Sequence, residues 1–313
     1  MANEDVIHTG PMHGILLIST ASTAQGWVFE NELPTISAYC GYKIPSGEYV
    51  YDETVHKYPI IAVEDKGDLI SAGNWSTRYA SWSKMGYNPD VNNTEECLNY
   101  IGGMPVWAAT SGVPMKVVSG NNGDKSGSTT GCTKMWVKYL GSDYLEYSTI
   151  VTLNGTTAVA LVDTSIARIQ NFQAYEGLAP LGDVFIYPST ASTMYISQCP
   201  AGLTRARNSM YTVPLNKTLY IKTQYYSAAM KGTAIPVRFL LKSNYNENQS
   251  RYSTSLFWPI GVSLLKDTGT FSLLPLPLKI PQKTDIYVSS YTTGTAGTQQ
   301  SESMLRGWTV ENT

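Results

Sequence analysis

Residues 139–165 constrain this chain more than any other stretch. Segments 146–153 (EYSTIVTL) and 156–162 (TTAVALV) are rich in β-branched and aromatic types, and Asn154-Gly155 stands between them. Asn-Gly supplies both positive-φ positions of a type I′ turn, whose twist matches that of the strands it joins. The stretch therefore reads as a β-hairpin closed at Asn154-Gly155, with Val151 or Thr152 opposite Thr157 or Ala158.

The same idiom of short strands and tight turns recurs along the 313 residues. Only 15% of them are charged, against roughly 25% in an average soluble domain. The 22 Tyr, 26 Gly and 16 Pro suit a fold held by backbone ladders and aromatic packing. Residues 1–85 read as a smaller β-rich module, with strands at 15–19, 27–30, 35–39, 48–51, 58–63 and 69–72. Residues 86–131 are an aromatic, Gly-rich connecting region. Asn93 is a candidate N-cap for a helical turn or two over 93–100, and 119–131 (SGNNGDKSGSTTG) reads as a flexible hairpin tip or linker. Residues 132–313 carry about ten further strand signals, among them 135–139, 166–172, 184–187, 218–225, 235–241, 284–289 and 304–309. Pro214-Leu-Asn-Lys217 reads as a tight turn. Three prolines within 274–281 place that run on a sheet edge or at a crossing between sheets. The expected fold is all-β: an antiparallel, jelly-roll-like β-sandwich behind the smaller N-terminal module.

Formal net charge is −2 and there is no basic run, which argues against nucleic-acid binding. No apolar run has membrane-spanning length, and MANEDVIHTG carries acids rather than a positive leader, so synthesis in a cytoplasm without membrane insertion is expected. Cys40, Cys97, Cys132 and Cys199 lie far apart and read as buried free thiols.

No constellation for chemistry emerges. His8, His13 and His56 lack metal-ligand spacing. There is no G-x-S-x-G elbow, and Asp124 interrupts the one stretch that superficially evokes a phosphate loop. No catalytic, cofactor-binding or metal residue is assigned and no cofactor is expected. The candidates for recognition are the aromatics Trp75, Tyr79, Trp82, Tyr87 and Trp107. Such rings stack on sugars when exposed, and otherwise pack in cores or at domain interfaces.

From Gly86-Tyr-Asn-Pro-Asp-Val91 to Trp308 the chain resembles a structural protein of tailed bacteriophages, particularly those of aquatic bacteria. Val117-Val-Ser119, Val151-Thr-Leu-Asn-Gly-Thr-Thr-Ala-Val159, Arg168-Ile169, Gly182-Asp-Val-Phe-Ile186, Met210–Ile221 (MYTVPLNKTLYI) and Pro277–Ile286 (PLKIPQKTDI) carry the likeness. The resemblance implies a non-enzymatic virion component, assembled in the bacterial host cytoplasm: a capsid decoration, a head fibre or a tail component. It implies partners in further copies of the chain, as a trimer or dimer, and in major capsid or tail proteins. A host-receptor or glycan-binding adhesin of the tail is the alternative, with a host surface glycan as ligand, and a capsule-degrading enzyme the remote one. The first 85 residues lie outside the resemblance and are the expected anchor to the particle.

Overall fold

The computed structural model describes residues 78–230, 235–245, 258–264, 268–294 and 299–312. It also describes four short strands nearer the N-terminus: β1 (His8–Thr9), β2 (Leu16–Leu17), β3 (Tyr42–Lys43) and β4 (Tyr49–Val50). β1 pairs with β2 and β3 with β4. The chain forms two compact units, residues 1–81 and 82–313. β2 and β4 fall within expected strands; the expectations at 27–30, 35–39, 58–63 and 69–72 lie outside the described residues.

The second unit holds two hydrophobic cores, and each lies between two sheets. The larger sandwich has one sheet in the order β18 (Thr268–Ile280), β15 (Lys217–Met230), β20 (Gln299–Glu311), β5 (Tyr79–Val91). Its other sheet runs β14 (Tyr211–Thr212), β19 (Thr284–Thr292), β16 (Val237–Tyr245), β17 (Trp258–Leu264), with β6 (Glu96–Cys97) also on β19. Alternate residues turn inward as the pleat requires: Leu219 and Ile221 from β15, Phe239 and Leu241 from β16, Ile286 and Val288 from β19.

The smaller sandwich is built from the chain between β6 and β14, so it is an insertion into the larger one. Its sheets are β10 (Val159–Ala160), β7 (Met115–Ser119), β12 (Val184–Pro188), β13 (Ser197–Cys199) and β11 (Ile166–Gly177), β8 (Cys132–Gly141), β9 (Glu146–Thr152). Met135 and Val137 of β8, Phe172 of β11, Val117 of β7 and Ile186 of β12 meet in its core. The ladders are antiparallel in both sandwiches, and the all-β, antiparallel sandwich class read from the sequence is what the structure has. Segment 86–131 supplies the later part of β5, β6 and β7 to these sheets.

Three local expectations are corrected. Segments 146–153 and 156–162 do not pair with each other: β9 pairs with β8, and β10 with β7 in the opposite sheet. Asn154-Gly155 is a corner between sheets. Thr157 N donates to Asn154 O, so Gly155 and Thr156 are the central pair. Gly155 takes φ 58° while Thr156 is not among the positive-φ residues, which is the type II′ pattern, and Asn154 is not at positive φ either. Over 93–100 there is no helix, because Glu96 and Cys97 pair with Ser290 and Ser289 of β19. The 119–131 stretch is neither linker nor loose tip. It is a compact turn between β7 and β8 organised by buried Asp124, which accepts hydrogen bonds from Ser119 Oγ, Cys132 N, Leu181 N and Gly182 N.

Three further expectations, on the 274–281 prolines, the 214–217 turn and the cysteines, hold. β18 is an edge strand, and its pairing with β15 jumps from Ile221↔Leu278 to Thr223↔Leu273, so Pro275 and Pro277 sit where the ladder is broken. In the 214–217 turn Lys217 N donates to Pro214 O and Asn216 takes φ 62°. Cys97, Cys132 and Cys199 are free and buried; Cys40 lies outside the described residues. Among the described residues no helix is long and apolar enough to cross a membrane.

Candidate functional site

The described aromatic candidates lie in different surroundings. Trp75 lies outside the described residues, and Tyr79 sits half-buried at the start of β5. Trp82 packs on the larger core with its ring 5.0 Å from that of Tyr211. Tyr87 meets Tyr100 at 5.1 Å, with the Arg207 guanidinium 5.8 Å from its ring centre. Trp107 stands where the two sandwiches meet, 5.2 Å from the Arg168 guanidinium. Trp82, Tyr87 and Trp107 thus pack against separate neighbours.

What Trp107 marks is the junction between the sandwiches. Arg168 leaves β11 and reaches Asp285 of β19: Nε donates to Oδ1 at 2.9 Å and Nη2 to Oδ2 at 3.0 Å. Both side chains are buried, 3% and 1% exposed, and a bare buried pair would not recover its desolvation cost. Further bonds offset it. Arg168 Nη1 donates to the carbonyls of Ala108 and Ala167, each at 2.8 Å, and Thr212 Oγ1 donates to Asp285 Oδ1. Trp107 and Tyr144 flank the guanidinium with their ring faces. Burial raises the Tyr144 phenol, with Arg168 opposing the shift.

Next to this pair, Gln170 of β11 acts as a strand would. Its Oε1 accepts from Thr212 N at 3.2 Å and its Nε2 donates to Thr212 O. Lys84 of β5 donates to Gln170 O. Burial lowers the Lys84 ammonium to about 7, and the charge of Arg205 pushes the same way. Glu146 of β9 bridges Lys138 and Lys217. Burial pushes its carboxyl up, but the hydrogen bonds from the two lysines outweigh it and the net shift is downward.

Arg168, Asp285, Thr212 and Gln170 bond to one another and to backbone across the junction, an arrangement that holds two sandwiches in one orientation. Among the described residues no group of His, Cys, Asp or Glu is placed to hold a metal ion. Sequence reasoning missed Arg168, Gln170 and Asp285, because partners 117 residues apart leave no spacing signal.

No protein-family model matches the chain, and no curated protein matches it. Among solved structures, that of infectious bursal disease virus Gt strain is 14% identical, covers 74% of this chain and 72% of that chain, and superposes with a TM-score of 0.21. The VP2 subviral particle of infectious bursal disease virus is 13% identical over 74% of this chain and 72% of that chain, with a TM-score of 0.23. The T=1 particles derived from that virus are 15% identical over 75% and 70%, at 0.22. Scores this low carry no argument about this chain.

Proposed function

We propose that the chain is a non-enzymatic structural component of a virion, displayed on the particle as a capsid decoration, a head fibre or part of a tail. The observation that carries the reading is the junction. A small sandwich inserted into a larger one and fixed there by a buried, multiply bonded Arg168–Asp285 pair suits a protein whose task is to hold a shape. The likeness of residues 86–308 to tailed-bacteriophage structural proteins points the same way. On this reading residues 1–85 attach the chain to the particle, and copies associate as trimers or dimers. Major capsid or tail proteins are the neighbours, and assembly takes place in a bacterial host cytoplasm.

The test is a truncation with a particle readout. Removal of residues 1–78 spares all of β5, including Trp82 on the larger core. The truncated protein is expected to fold and to be missing from purified virions. Incorporation at normal copy number would move the particle-binding surface to the sandwiches.

A further inference from the structure

The sheet β11–β8–β9 turns one face to the smaller core and the other to solvent. Met135, Val137 and Tyr139 point inward, so the pleat places Lys134, Trp136 and Lys138 on the outer face. The register sets Ile150 of β9 on one side of Trp136 and Gln173 of β11 on the other. A single bridge then sets Arg205 beside Gln173. Ile150, Trp136, Gln173 and Arg205 therefore form one row across four segments, roughly 14 Å from end to end at ordinary strand spacing.

The row is open and rich in donors. Ile150 is 45% exposed, Arg205 is exposed and Trp136 half-buried. Gln173 Oε1 accepts from Arg205 Nε at 3.2 Å and from Asn171 Nδ2 at 3.4 Å, so the side-chain oxygen is occupied. Its NH₂ and the indole N–H of Trp136, donors by nature, have no protein acceptor among the described residues. Around them, Lys134, Lys138 and Arg205 stand against Glu176 and Glu146, and Lys217 takes up a further share of Glu146. The face is net positive on a chain whose formal net charge is −2.

An indole flanked by unmatched donors and a positive field calls for an acceptor-rich, flat-faced, acidic ligand. We propose that this face binds an acidic polysaccharide, a sugar ring lying on Trp136 while Gln173 and Arg205 take its carboxylate and hydroxyl oxygens. A protein partner fits less well, because stable interface centres are depleted in lysine and glutamate. A nucleic-acid strand would need successive stacking platforms, and the row offers one ring. Binding is a property of the isolated chain, so it stands or falls independently of incorporation into a particle.

The experiment is affinity electrophoresis of the purified full-length chain through gels containing alginate, dextran or single-stranded DNA, with sedimentation run alongside. Alginate is expected to retard the wild type, and dextran about tenfold less. Trp136→Ala should weaken alginate binding by about tenfold or more, and Gln173→Ala and Arg205→Ala by about threefold to tenfold. Arg205 is exposed, so its variant carries the test should Trp136→Ala fail to fold. The proposal is overturned by a wild type that alginate leaves unretarded, or by retardation that Trp136→Ala and Arg205→Ala leave unchanged. Stronger binding to DNA than to alginate overturns it too, as does self-association that Trp136→Ala abolishes.

Discussion

Arg168 and Asp285 lie 117 residues apart in the chain and make a two-pronged ion pair, 2.9 and 3.0 Å, with almost no access to water. Each comes from a different sandwich, so the pair is the point at which the insertion is held to the body that carries it. Asp285→Ala leaves a guanidinium buried without its carboxylate and is expected to cost about 3–5 kcal/mol. Arg168→Met combined with Asp285→Leu removes both charges and should cost clearly less than Asp285→Ala alone. Chemical denaturation of the three variants checks this, and equal losses would show that the pair does not act as a unit.

Asp124 makes the same kind of argument within the smaller sandwich. Its carboxylate gathers Ser119 Oγ and the backbone N–H groups of Cys132, Leu181 and Gly182, joining the β7–β8 turn to the β11–β12 connection. Asp124→Ala strands the buried donors Ser119 Oγ and Cys132 N, each worth about 1–3 kcal/mol when unpaired, and the part-buried N–H groups of Leu181 and Gly182. A loss above about 3 kcal/mol is expected, with faster amide exchange at 181–182 than elsewhere. Asp124→Asn keeps the oxygen acceptor but brings two donors, and should fall between.

Gly307 lies where β15 and β20 slip register, and a Cβ there would stand 1.8 Å from Tyr220 O. That oxygen belongs to a central strand and cannot move without breaking the pairing. Gly307→Ala is expected to cost about 3 kcal/mol or more through overpacking. Gly155→Val combines a left-handed φ of 58° with a Cβ position 2.9 Å from Asn122 Cα and should cost about 2 kcal/mol or more. Thermal melts of both check the order.

Most strands were legible because β-branched and aromatic runs between turn formers are local signals. β8, β11, β12, β15, β19 and β20 all fall where the pattern places them. Pairing was not legible. Asn154-Gly155 marks a turn correctly, but nothing in the two flanking segments says that β9 belongs to one sheet and β10 to the other. Turn chemistry is local, while the choice of partner strand is set by which faces the core covers. Asp124 misled for a related reason: in a Gly/Ser/Asn-rich run it looks like a solvated acid, and its backbone donors come partly from Leu181 and Gly182, far along the chain. The aromatic candidates were chosen by clustering in sequence. Trp136, on a period-two strand with Lys134 and Lys138, could have been flagged by asking which aromatic falls on the polar face.

The last prediction concerns pH, and the signs differ for two sets of groups. Burial first of all raises Cys97 to about 12, Cys132 to about 11 and Cys199 to about 12, from 9.0. A folded pKa above the unfolded one means that the unfolded chain loses its protons first. The stability these thiols contribute is fully present below pH 9 and is lost as pH rises towards 11–12. Lys84 runs the other way. Its folded pKa of about 7 lies below 10.5, so between those values the unfolded state binds the extra proton and stability climbs with pH. The wild type should therefore gain stability from pH 7 to 9 and lose it above, giving a maximum near pH 9. Lys84→Met is expected to flatten the rise and leave the alkaline fall in place. Replacing the three thiols with alanine should do the reverse, apart from the buried tyrosines that titrate higher still. Denaturant midpoints measured from pH 6 to 11 separate the two limbs, and a rising limb that survives in Lys84→Met would assign it to another group.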